Sequence, residues 1–232
     1  MIVAERKPYD EIREMLSGKK RVLVAGCGTC VAVCNTGGEK EVGLLAEELR
    51  ITAQKEGTGW EIEEVTIQRQ CETEFLEAAA PRVECVDVVV SMACGAGIQL
   101  LAAHFPKTLV LPGVNTTFLG TNIEPGVWVE YCHGCGSCVL AETGGICPVA
   151  RCSKSLVNGT CGGTDKGMCE VDPKNIPCGW NLIYKRLKDL DRLDLLRTMR
   201  EAKDWSKDRG AGPRRLSREE MMKIEATEGE QS

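Results

Sequence analysis

Aromatic residues make up only 4 % of this 232-residue chain, and histidine occurs twice. The first shortage leaves few flat faces on which bases or rings could stack. The second means that zinc sites built from paired cysteines and histidines cannot account for the cysteine content described below. Positive charge is not in excess either: the formal net charge is -5, which weighs against a nucleic-acid-binding surface. No uninterrupted apolar run approaches the length of a membrane span. The opening residues MIVAERKPYDEIREM carry charge where a secretory signal needs an apolar stretch. The expected location is therefore the cytoplasm, where structural disulfides are rare.

Cysteine is what the chain has in abundance, with fourteen residues. Most lie beside Gly, Pro, Asn or Thr, in sequence that reads as loop. In a reducing compartment that pattern points to thiolate ligation of iron–sulfur clusters or zinc. A 43 % hydrophobic content is ordinary for a globular chain of one large or two small domains.

Along residues 1–125 short apolar strands alternate with helical segments. Arg21–Ala25, Trp60–Gln68, Val86–Ser91 and Thr108–Leu111 read as strands. Residues 8–16, Glu39–Lys55, Glu72–Ala80 and Ile98–His104 read as helices, the second with Val42, Leu45 and Leu49 on one face. The alternation predicts a small open α/β domain on a parallel sheet. Cys27, Cys71 and Cys94 each follow a proposed strand, and parallel strands deliver such loops to one sheet edge. Cys27, Cys30 and Cys34 are the first choices for one four-thiolate site, with Cys94 fourth and Cys71 close behind. Cys94 lies in the glycine-rich run Met92-Ala-Cys-Gly-Ala-Gly97, which leaves room and exposes backbone N–H groups. Cys85 reads as a buried small hydrophobe.

Residues 126–200 form a second expected domain, with eight cysteines between Cys132 and Cys178 and too few apolar runs for an ordinary core. Metal binding would supply its folding energy. Cys132-His-Gly-Cys135-Gly-Ser-Cys138 carries the C-x2-C-x2-C spacing that opens ferredoxin cluster motifs. Cys147, before Pro148, is the nearest fourth ligand. Cys152, Cys161, Cys169 and Cys178 remain as a second set. His133 is expected at the surface or as a hydrogen-bond partner, and His104 has no catalytic neighbours. An amphipathic helix is predicted from Trp180 to Met199, and residues 201–232 read as a polar, disordered tail.

These motifs resemble the MetV family, the small subunits of acetogen-type methylenetetrahydrofolate reductases, whose sequence also occurs as a C-terminal domain of some such enzymes. The resemblance covers most of residues 1–200. Its elements are Cys27-Gly-Thr-Cys-Val-Ala-Val-Cys-Asn-Thr-Gly-Gly-Glu39, Met92–Gly97, Tyr131–Cys138, Gly145-Ile-Cys-Pro-Val-Ala-Arg-Cys152, Asn158-Gly-Thr-Cys-Gly-Gly163, Cys169-Glu170 and Cys178-Gly-Trp-Asn-Leu-Ile-Tyr184. It implies a non-catalytic, electron-transferring subunit of an oxidoreductase complex in one-carbon metabolism. At least two 4Fe–4S clusters are expected, one in the first domain and one or two in the second. The expected partner is a flavin-containing MetF-like barrel that reduces methylenetetrahydrofolate to methyltetrahydrofolate. The electron donor would be ferredoxin, a nicotinamide-linked subunit or a heterodisulfide-reductase-like complex.

The residues agree with that division of labour. No G-x-G-x-x-G follows the first strand, so a dinucleotide site there is not expected, and no acid–base pair marks a folate pocket. Three rival readings remain open: a zinc-stabilised docking subunit without electron transfer, a thiol–disulfide oxidoreductase at Cys27 and Cys30, and a corrinoid-linked accessory protein.

Overall fold

The computed structural model describes residues 1–208 and 212–218. It divides into two compact units, Met1–His133 and the chain from Gly134 onward. Expectations for the tail at residues 209–211 and 219–232 lie outside the described residues.

The first unit runs β1 (Ile2–Arg6), α1 (Tyr9–Met15), β2 (Arg21–Cys27), α2 (Cys30–Val33), α3 (Glu39–Glu56), β3 (Glu61–Ile67), α4 (Thr73–Glu77), α5 (Ala80–Val83), β4 (Val88–Ser91), α6 (Gly95–His104), β5 (Leu109–Pro112), β6 (Val114–Glu124) and β7 (Val127–Cys132). Four strands form an open parallel sheet in the order β3-β2-β4-β5. The fold is α/β.

The two-residue period of a strand divides the core. Val22, Val24, Val88 and Val90 face one way, packed with Ile12 and Leu16 and with Val42, Leu45 and Leu49 of α3. Leu23, Ala25 and Val89 face the other, against Leu76, Val83, Leu101 and Phe105. Both faces are covered, which is why β2 and β4 read as nearly continuous apolar runs. A second sheet, antiparallel in the order β1-β6-β7, adds Val3, Ala4 and Val114 to the first core. Neither β1 nor the β6–β7 hairpin was signalled by the strand–helix alternation.

Several boundaries differ from the sequence expectation. Strand β2 continues to Cys27, which pairs with Ile67, so this cysteine ends the strand instead of following it. The helix expected over Glu72–Ala80 is two short pieces, with Pro81 inside the first turn of the second, where its missing N–H costs nothing. Cys85 is exposed, not buried, because α5 ends at Val83 and the chain turns through solvent before β4.

The second unit contains a 3-10 turn at Leu140–Glu142, α7 (Pro148–Arg151), the hairpin β8 (Met168–Cys169) and β9 (Asp172–Pro177), and α8 (Gly179–Asp189). The expected helix to Met199 stops at Asp189. Asp191 takes a positive φ of 55°, Arg192 N–H bonds back to Leu187 O at 2.8 Å, and a 3-10 segment at Leu193–Arg197 follows. Among the described residues, the buried apolar cluster of this unit is Trp180, Ile183 and Leu187. So small a core ordinarily needs a metal or covalent crosslink. Tail residues are held to this unit: Lys203 Nζ donates to Ser137 O, and Arg214 donates to Gly134 O at 2.9 Å and Lys207 O at 2.8 Å. No helix among the described residues is long and apolar enough to cross a membrane.

Candidate metal centres

At the carboxyl edge of the parallel sheet, the chain leaves β2 at Cys27, follows β3 to Cys71, and leaves β4 toward Cys94. Gln70 organises this edge. It is fully buried, and its side-chain amide donates to Ala25 O at 3.0 Å and Gly26 O at 2.8 Å. Its carbonyl accepts from Ser91 Oγ at 2.6 Å. The segment carrying Cys71 is thereby tied to the ends of β2 and β4. The next helix packs close: a Cβ on Gly97 would stand 3.0 Å from the Gln70 side chain.

Electrostatics show which thiols meet there. Burial pushes the Cys71 thiol up, and negative charge at Cys27 and Cys94 pushes it further. Arg69 is held protonated first by its hydrogen bond to Glu72, 2.6 Å away, with smaller support from Cys71 and Cys30. Cys27, Cys30, Cys71 and Cys94 thus occupy one electrostatic neighbourhood, with a guanidinium beside it. Cys94 caps α6, whose first-turn N–H groups lack helical acceptors.

Cys34 is not among the thiols whose charge bears on Cys71 or Arg69. It is buried in the core under β1, with its sulfur 3.5 Å from Thr36 Oγ1, 3.7 Å from Val31 O and 4.0 Å from Ala4 O. Thr36 bonds Ala4 O at 2.9 Å, and the chain returns so that Gly37 O accepts from Cys27 N at 2.9 Å. Sequence proximity to Cys27 and Cys30 gave no hint of this inward turn.

In the second unit Cys152, Cys161, Cys169 and Cys178 line a single narrow pocket. Each arrives for a local reason. The β8–β9 hairpin pairs Met168 with Pro177 and Cys169 with Asp172, and Cys178 N–H bonds Gly167 O at 2.9 Å, so the hairpin that carries Cys169 also holds Cys178. Cys152 ends α7 and meets the start of α8, where a Cβ on Gly179 would lie 2.5 Å from Arg151 O. Cys161 comes from the glycine-rich loop 158–163, anchored by paired 2.9 Å hydrogen bonds between the Asn158 side chain and the Arg200 backbone.

Cys169 is held below its usual range by the Ser153 hydroxyl, 3.5 Å from its sulfur, and by the backbone N–H groups of Val171 and Asp172. Lys154 is held protonated mainly by its ion pair with Glu170, and negative charge at Cys161 and Cys169 adds to this. Glu170 accepts from Cys161 Sγ at 3.4 Å. The donor set, four sulfurs with N–H, hydroxyl and ammonium groups around them, suits an iron–sulfur core, whose thiolates take such hydrogen bonds.

Of the remaining thiols, Cys132 ends β7 in the first unit. Cys135, Cys138 and Cys147 belong to the second, where Cys135 Sγ lies 3.7 Å from Ser137 O and Cys147 caps α7. His104 makes an edge-to-face contact with Phe105. No group of three or more Cys, His, Asp or Glu among the described residues closes on a point as the ligands of one metal ion would.

A family model described as "Methylene-tetrahydrofolate reductase C terminal" matches residues 111–206. The chain is linked to that family at this coarse level. The matched span holds all eight cysteines from Cys132 to Cys178 and none of those at the parallel-sheet edge. No curated protein and no solved structure matches the chain.

Proposed function

We propose that the chain is an iron–sulfur electron-transfer and accessory subunit of a methylenetetrahydrofolate reductase complex. It would relay electrons to or from a flavin-containing MetF-like subunit. The observation that carries this reading is the pocket in which Cys152, Cys161, Cys169 and Cys178 meet, inside the span matched by the reductase C-terminal family. Support comes also from the second thiol neighbourhood at Cys27, Cys30, Cys71 and Cys94, and from the small apolar core of the second unit.

In this reading each quartet holds one 4Fe–4S cluster, and Cys135, Cys138 and Cys147 of the second unit are candidate ligands of a third. Bound clusters supply one-electron oxidation and reduction. The chain's own residues would offset the charge of bound thiolates: Ser153 and the N–H groups of Val171 and Asp172 hold the Cys169 thiol below its usual range, Lys154 stands beside Cys161 and Cys169, and Arg69 beside Cys30 and Cys71. The donor class, whether ferredoxin, nicotinamide-linked or heterodisulfide-reductase-like, belongs to the same proposal.

The test is anaerobic purification with bound partners, followed by iron, zinc and sulfide analysis. Iron and acid-labile sulfide in a brown protein that brings down a flavoprotein is the expected result. Stoichiometric zinc in colourless protein would replace the electron-transfer role with a structural one. Iron without a flavoprotein partner would undermine the reductase assignment.

A further inference from the structure

The second unit holds an open cavity of about 340 Å³, within the range of small-molecule sites. Neither cysteine nor histidine lines it. Trp180 and Tyr184, one turn apart on α8, line it together with Leu196 and Met199 of the following segment. Trp180 is nearly buried and keeps its indole N–H on Leu156 O at 2.9 Å. Its ring is also flanked by Arg200, 5.9 Å from the centroid. Tyr184 is 46 % exposed and Met199 77 %, so apolar surface lines the mouth.

Two polar groups in this lining are uncommitted. Arg197 makes no ion pair or hydrogen bond with the described residues, and the Asn181 side chain makes no hydrogen bond with them. Arg200, by contrast, is occupied by Glu142 and Val157 O. A cavity with aromatic and thioether walls, an unused amide and an unpaired guanidinium is complementary to one kind of ligand. That ligand has a flat heteroaromatic ring for the walls, ring heteroatoms for the amide, and an anionic arm for the arginine.

We infer that this cavity binds a planar heteroaromatic nucleotide, its ring between Tyr184 and Met199 and its phosphate at Arg197. The chemistry is shared by flavin mononucleotide and by adenine nucleotides. Trp180, Thr160 and Thr164 also line the four-thiol pocket, so the ring would stand one layer of side chains from Cys161 and Cys178. The binding inference itself requires no metal and goes beyond the electron-transfer reading.

The experiment titrates flavin mononucleotide, by quenching of its fluorescence, and adenosine monophosphate, by calorimetry, into the full-length protein purified anaerobically. Saturable micromolar binding of at least one is expected, and the tighter of the two identifies the source. Tyr184→Ala and Arg197→Glu should each weaken it about tenfold, with far-UV circular dichroism unchanged. Riboflavin or adenosine should bind the native protein no better than the matching nucleotide binds Arg197→Glu. Absence of saturable binding by both nucleotides would overturn the inference, as would unchanged affinity in both variants or equal competition by inorganic phosphate alone. Iron measured on the same sample keeps the two claims apart: iron without nucleotide binding removes this site only, and nucleotide binding without iron removes the cluster proposal only.

Discussion

The Ser91 hydroxyl donates a 2.6 Å hydrogen bond to the side-chain carbonyl of Gln70, and both residues are fully buried. Through the Gln70 amide this bond joins β4 to the ends of β2, at the edge where four thiols gather. Gln70→Leu would leave the Ser91 hydroxyl without its acceptor and Ala25 O and Gly26 O without this donor. A loss of about 2–3 kcal/mol is expected, measured by denaturant unfolding. Iron should fall at the first-unit site, while loss of the Cys161 site in Cys161→Ser stays additive to it.

Cys34 and Cys71 separate sequence proximity from spatial placement. Cys71→Ser should remove iron from the first unit, whereas Cys34→Ser should leave its iron content unchanged and cost about 1 kcal/mol of stability. Iron analysis with electron paramagnetic resonance reads both. Loss of iron in Cys34→Ser with full iron in Cys71→Ser would reverse the assignment.

Gly37 lies against the end of β4: a Cβ there would stand 1.9 Å from Met92 O. That oxygen is backbone and cannot swing aside. Gly37→Ala should therefore displace the loop carrying Cys27 and Cys30, lowering the melting temperature and the iron content together.

Asp87 accepts hydrogen bonds from the backbone N–H groups of Lys20 and Arg21 and from the Arg21 guanidinium, at 2.9–3.1 Å, and these hold its carboxyl below the usual range. A depressed folded-state pKa gives stability that is present above the unfolded value, about 3.9. That stability is lost as the pH falls through the folded value. Asp87→Asn should be less stable than the native chain at neutral pH, and the difference should shrink below about pH 4. Melting curves across that window check it.

Cys178 caps α8, which carries Trp180, Ile183 and Leu187 of the small second core. Chelation of metal, or Cys178→Ser, should loosen residues 140–200 to limited proteolysis while the first unit stays protected. Equal protection of both units after metal removal would contradict a metal-supported second unit.

Much of the fold was legible in the residues. The valine-rich runs at 22–24 and 88–90, with helical periodicity between them, point to a doubly covered parallel sheet because a strand buried on both faces must be apolar throughout. The β1-β6-β7 sheet was not legible, since Ile2–Arg6 pairs with residues more than a hundred positions away. The break after Asp189 was hidden by leucines that keep helical spacing through a residue of positive φ.

The same division holds for the sites. Composition and spacing alone singled out thiols in glycine-rich loops as ligand candidates, because fourteen cysteines beside turn-forming residues do not fit ordinary core packing, and they separated Cys152, Cys161, Cys169 and Cys178 as a set. Which sulfurs stand together was decided by tertiary structure. The single turn of α2 carries Cys34 into the core with Ala4 and Thr36, while strand order brings Cys71 and Cys94 to Cys27 across more than forty residues of chain. Gln70 shows the reason most clearly. Its neighbours in sequence are Gln68, Arg69 and Cys71, but its role comes from Ala25, Gly26 and Ser91, and hydrogen bonds between distant strands leave no local pattern to read.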